Sequence, residues 1–269
     1  MKRLQSIVAS LSLAIPLLGA GHSFTDLHDA HDHSHAISAN SAPVVHSLPI
    51  APEYQPDKEF TNIESTTQVT VLNELGKTVD TLTTYQNIAD AQNSALAANR
   101  IVTVLAVADE EYRSAYSDWQ TRIQTIVEQS DDAFIRDQGI DFQVKAVGSW
   151  SSQGANSSQI LADLSRDWSG RNYDFVVGFT RDANFEAGGI AYVYSSDPVG
   201  SAFSVNLDQG MTNTAKAAQH EFSHNYGLGH DNQGSGIRCV MNYDFAYTVD
   251  YWHASHSSQI QQNKSWYGN

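Results

Sequence analysis

The stretch AAQHEFSHNYGLGHDN, Ala217 to Asn232, decides how this chain is read, because it holds three of the protein's 11 histidines. The residues leading into it, MTNTAKAAQ, predict a helix that Asn213 or Thr214 can cap. Gly227 stands where a left-handed C-terminal residue would end that helix. Side chains four apart on a helix are offset by about 40° and one turn, so His220 and His224 share a face and can clamp one cation. Glu221, next to the first of them, can reach a water on that cation without ligating it, which is where a general base belongs. A catalytic zinc site takes three protein ligands and keeps a fourth position for water. His230, beyond the turn at Gly227, can swing back as the third ligand. No glutamate follows Glu221 in the sequence, so a downstream Glu cannot serve. Asp231, Asp244 and His253 remain as substitutes for His230.

Upstream of this stretch the pattern alternates between strands and helices. RIVTVLAVADEEY reads as a buried strand, and Tyr112, Tyr116, Trp119, Ile123 and Ile126 recur at helical spacing, predicting one long amphipathic helix. IDFQVKAVGSW and YDFVVGFT read as strands with a shorter helix between them, then AGGIAYVYSSD and SAFSVNLD as two more short strands. SSQIQQNKSWYGN closes the chain as a final helix with Ile260 and Trp266 facing inward. The order implies an α/β (α+β) layer, a mixed twisted sheet with helices packed on it.

The N-terminal third is different in kind. Residues 1–21 carry Lys2 and Arg3, an apolar run from Ile7 to Leu18, and the small residues Gly19, Ala20 and Gly21, the layout of a secretory signal peptide. The expected destination is extracellular, or periplasmic in a bacterium. Residues 22–97 form a leader and prosegment: a His-rich tract with six histidines through His46, to which we assign no catalytic role, and then TQVTVLNELGKTVDTLTTY, a strand pair turning near Gly76. The catalytic domain is expected over 98–269. With 30 acidic against 15 basic residues the net charge is −15, which argues against nucleic acid or an anionic membrane surface as partner. The partners expected are protein or peptide substrates, and the chain is expected to be a monomer. A single cysteine, Cys239, excludes an intramolecular disulfide, and it is expected to pack as a small apolar residue.

HEFSHNYGLGH followed by CVMNY resembles the metzincin clan of zinc endopeptidases, whose pattern is His-Glu-x-x-His-x-x-Gly-x-x-His with a methionine turn beneath the metal. The resemblance implies a zincin-type catalytic domain with an active-site helix, a C-terminal helix and an edge strand that takes substrate as an added antiparallel strand. It implies that His220, His224 and His230 hold one Zn2+, that Glu221 is general base and acid, and that Met241 supports the site. Asp231 is similar to the aspartate that anchors the chain in adamalysin or reprolysin enzymes. Tyr243 is similar to the tyrosine of astacins and serralysins that stabilises the transition state. By the same resemblance Gly189, Ile190, Ala191 and Tyr192 would form the substrate strand. Because the only cysteine sits beside the methionine turn, a cysteine cannot keep the prosegment latent; an Asp or His must block the metal, or the segment must cover the cleft. His253 and His256 are expected on the surface or in a structural role. Ca2+ support of the fold stays open, with no calcium loop in the sequence. The reading that results is a secreted zinc metalloendopeptidase; the alternative is a secreted zinc-binding protein without hydrolytic activity, against which Glu221 argues.

Overall fold

The computed structural model describes residues 43–57, 65–86 and 99–269. The expected signal peptide, most of the His-rich tract and the stretch before Asn99 lie outside the described residues. Among the described residues eight strands form one mixed sheet: β1 (Val44–Leu48), β2 (Ser65–Leu72), β3 (Thr78–Gln86), β4 (Arg100–Ala108), β5 (Ile140–Ser149), β6 (Phe175–Thr180), β7 (Gly189–Val193) and β8 (Ala202–Leu207). Their order across the sheet is β1-β7-β8-β6-β4-β5-β2-β3. β2, β5, β4, β6 and β8 run parallel, while β3, β7 and β1 are antiparallel to their neighbours. The parallel centre is buried on both faces, so it reads as continuous apolar runs such as Phe175–Thr180, every residue of which is buried.

The helices are α1 (Glu110–Ala115), α2 (Trp119–Ala133, continued by a π-helical turn Phe134–Gln138), α3 (Ser157–Trp168), α4 (Met211–Asn225) and α5 (Ala254–Asn263). Alternation along β4 divides the core. Val102, Val104 and Ala106 face a cluster built with Ile123 and Ile126 of α2, Phe222 of α4 and Ile260 of α5, whereas Leu105 and Val107 face Ile160, Leu161 and Leu164 of α3. Phe222 stacks on Phe142 of β5 with ring centroids 4.9 Å apart, which seats α4 on the sheet and fixes the direction in which its histidines point.

Two local expectations are corrected. The long helix over residues 110–135 is two helices: Tyr116 adopts an extended conformation at φ −132°, and its hydroxyl donates to Asp208 at 2.8 Å, anchoring it away from the helix axis. At α4 neither Asn213 nor Thr214 is the cap, because the helix already begins at Met211 behind Gly210. Their side chains tie the first turn to its surroundings instead, Thr214 Oγ1 accepting from Gln209 N–H at 3.0 Å and Asn213 Nδ2 donating to the Glu53 carbonyl at 2.8 Å.

The strand pair around Gly76 forms as expected, and β2 extends the sheet beside β5. At the opposite side, β1 pairs antiparallel with β7, from Val44 against Val193 to Leu48 against Gly189. The strand expected to receive substrate is thus already paired by a segment of the chain's own N-terminal region.

Candidate metal centre

α4 presents His220, Glu221 and His224, all fully buried. The helix stops at Tyr226, and Gly227 follows at φ +87°, a conformation that L side chains rarely adopt, with the Tyr194 carbonyl 2.8 Å from where a Cβ would sit. The chain reverses there and brings His230 back to the helix. Its Nε2 lies 3.1 Å from His220 Nε2 and 2.9 Å from His224 Nε2.

Proton inventory shows what this convergence needs. His220 Nδ1 lies 2.7 Å from the Val240 carbonyl and His224 Nδ1 2.7 Å from the Leu228 carbonyl. A carbonyl only accepts, so each Nδ1 carries the proton. Tyr243 donates its hydroxyl hydrogen to the Ser47 carbonyl at 2.7 Å and therefore accepts from His230 Nδ1 at 3.0 Å. All three Nε2 atoms are left as bare lone pairs facing one another, an arrangement that a shared cation stabilises and that is repulsive without one. Burial lowers the pKa of His220 to about 4 and of His230 to about 3, and lowers that of His224 well below its ordinary value. The rings stay neutral at physiological pH, as ligands must.

Glu221 is enclosed beside them. Neither carboxyl oxygen has a hydrogen-bond partner of normal geometry, and burial drives its pKa well above the ordinary value. The close neighbour is Gly189 of β7, where a Cβ would lie 2.5 Å from Glu221 Oε1 and 2.8 Å from its Cγ. Gly189 is therefore required for Glu221 to sit where it does.

The loop after α4 returns below the site. Met241 is fully buried, and its carbonyl accepts from the Asp231 N–H at 3.0 Å, so Asp231 holds the third-histidine loop against the Met241 turn. Cys239 is buried in the main apolar cluster as expected, and its sulfur also lies 3.3 Å from His256 Nδ1. His253 and His256 pack inward on Asp231. Besides the convergence of His220, His224 and His230, His46 groups with His224 and His230, and Asp231 groups with Cys239, His253 and His256, each a set that could hold a metal. Neither is the oxygen-only set that Ca2+ prefers.

One participant escaped the sequence reading. His46 of β1 stacks on His230 with centroids 4.8 Å apart and meets His224 edge-on at 4.9 Å. Its Nδ1 is buried without a partner. Two residues on, Leu48 is 1% exposed, filling a pocket formed by Ala217 and Ala246 with Tyr243 and Tyr247. The period-two spacing of Val44, His46 and Leu48 was the available signal, hidden by the neighbouring His-rich composition.

No curated protein matches this chain. Among solved structures, a chain in "Structure of a chaperone-substrate complex" matches at a TM-score of 0.47 and 11% identity, over 64% of this chain and 36% of that one. A sequence model of Reprolysin_5, metallo-peptidase family M12, matches residues 98–258, the span that holds the sheet centre, α4, the three converging histidines and the Met241 turn. Its mixed sheet, buried His-Glu-x-x-His helix and returning third histidine accord with that match, and the chain belongs to metallopeptidase family M12, a family of metzincin type.

Proposed function

We propose that this protein is a secreted zinc endopeptidase made as a latent precursor. The observation that carries the reading is that the unprotonated His230 Nε2 lies within 3.1 Å of both the His220 and the His224 Nε2, beside an enclosed Glu221. The donor set, three neutral imidazoles, fits zinc. When bound, zinc would supply Lewis acidity toward the scissile carbonyl and lower the pKa of an attacking water. His220, His224 and His230 would hold it. Glu221, enclosed beside the three histidines, takes the proton of that water and hands it to the leaving amine. Tyr243 directs its hydroxyl at a peptide carbonyl beside the site, the contact it makes to Ser47. β7 holds an extended peptide through antiparallel backbone hydrogen bonds that do not depend on the peptide's sequence.

In the precursor, residues 43–57 occupy that cleft. β1 fills the partner position on β7, Tyr247 donates to the Pro49 carbonyl at 2.8 Å, and the Met211 N–H donates to Asp57 at 2.8 Å. His46 stands against the ligand histidines His224 and His230, where its ring would hinder the approach of water and substrate. Latency thus requires no cysteine. The catalytic domain begins near residue 98, and residues 1–21 direct export.

The test is digestion of casein by the purified chain before and after processing of its N-terminal segment, with a zinc chelator added and zinc then restored. Cleavage that appears on processing, stops on chelation and returns with zinc supports the reading. A processed chain that holds zinc and leaves casein intact contradicts it and favours a zinc-binding role.

A further inference from the structure

Asp231, Cys239, His253 and His256 each offer one ligand atom, and the four atoms lie within 4.8 Å of one another. They come from three separate segments: the loop after α4, the turn before Met241, and the start of α5. His253 Nε2 is 3.1 Å from Asp231 Oδ1, His256 Nδ1 is 3.7 Å from Asp231 Oδ2, and His256 Nδ1 is 3.3 Å from Cys239 Sγ. Ligands on one tetrahedral zinc, with metal bonds of about 2.0–2.3 Å, must sit roughly 3–4 Å apart; these three contacts fall in that range, and the whole group, within 4.8 Å, needs only a small inward movement to close on one ion. Two further observations point to a cation. Asp231 Oδ2 is buried without a hydrogen-bond partner, and no Lys or Arg pairs with Asp231 among the described residues. The Cys239 sulfur also accepts from the backbone N–H of Met241 at 3.5 Å; burial pushes the free thiol up to about 11, so the thiolate that this contact favours forms only when a cation displaces the proton.

We infer that these four side chains form a second, structural Zn2+ site, a clip closed by Asp231, Cys239, His253 and His256. One thiolate, two imidazoles and one carboxylate complete a tetrahedral shell and leave no position for water, which separates this site from the three-histidine centre. Binding displaces the Cys239 proton and places the His253 proton on Nδ1. The 3.2 Å contact that Nδ1 now accepts from the Ser255 N–H is given up in exchange. The clip would cross-link the His230 loop, the Met241 turn and the C-terminal helix in a chain that has no disulfide to do so. Without a metal, the same atoms form a hydrogen-bonded cluster in which His253 donates to Asp231.

The deciding experiment is titration of the metal-free full-length protein with Co2+, followed by absorption, with bound metal counted by mass spectrometry. The clip predicts about two equivalents per chain, one of which develops an intense near-ultraviolet thiolate-to-cobalt band. Cys239→Ser should remove that band and one equivalent. His224→Ala should remove the other equivalent and keep the band. Saturation without a thiolate band in the wild-type protein overturns the clip, and this arm needs no variant to fold. Two equivalents retained in Cys239→Ser would overturn it equally. Failure of the three-histidine reading looks different: one equivalent that carries the band.

Discussion

Leu48→Ala should open the cleft of the unprocessed chain. Leu48 is 1% exposed and fills the pocket between Ala217 of α4 and Ala246, flanked by Tyr243 and Tyr247. Truncating a buried leucine to alanine costs about 2–5 kcal/mol. The lower part of that range applies, because the pocket becomes solvated once the strand leaves and no permanent cavity remains. A loss of about 2–3 kcal/mol, at 1.4 kcal/mol per tenfold, raises the population with a vacated β7 edge roughly 30- to 150-fold. The backbone bonds of the segment, such as Gly188 N–H to the Leu48 carbonyl at 2.7 Å, are untouched by the substitution. The assay is the initial rate of cleavage of a quenched fluorescent peptide by wild-type and variant precursors at equal zinc content. Mass spectrometry of the same samples confirms that neither has been processed. A rise of this order is expected; an unchanged rate in a folded, zinc-loaded variant refutes the claim that residues 43–57 hold the cleft closed.

Three other perturbations follow from the geometry. Gly189→Ala places a Cβ 2.5 Å from Glu221 Oε1, so it should lower kcat of the processed enzyme by roughly 10²-fold or more while metal content stays the same, as read by steady-state kinetics beside metal analysis. Tyr243→Phe removes the hydroxyl that contacts the Ser47 carbonyl at 2.7 Å and should lower kcat by about 10²-fold with little change in KM; a KM effect alone would assign Tyr243 to substrate binding. Asp109, enclosed behind Thr180 and the Arg181 N–H, has its pKa raised by burial from 3.8 to about 6. A raised folded-state pKa means that stability is fully present below the unfolded value and is lost as pH climbs through the folded one. The wild-type protein should therefore lose up to roughly 3 kcal/mol between about pH 4 and 6 from this group, and Asp109→Asn, followed by urea unfolding across that range, should lack this loss.

The parts of the site legible in the sequence are those whose geometry is local. His220 and His224 share a face because any helix imposes that spacing, and Gly227 marks the turn because no other residue takes φ +87° so readily. The amphipathic and alternating runs likewise give most strands and helices. What was not legible depends on pairing across the fold. His46 reaches His230 only because β1 selects β7 and not another edge, and nothing within residues 44–48 states that choice. The meeting of Asp231, Cys239, His253 and His256 depends on three loops closing together, and the break at Tyr116 on a hydroxyl finding Asp208 far along the chain. Helical periodicity carries no trace of either.

Glu221→Gln in the processed protein separates proton transfer by Glu221 from the binding of zinc by His220, His224 and His230. Casein cleavage and bound zinc are measured on the same sample. Full zinc occupancy of the three-histidine site is expected, with cleavage reduced by about 10²- to 10⁴-fold. Retention of near wild-type cleavage by the zinc-loaded variant would contradict proton transfer by Glu221.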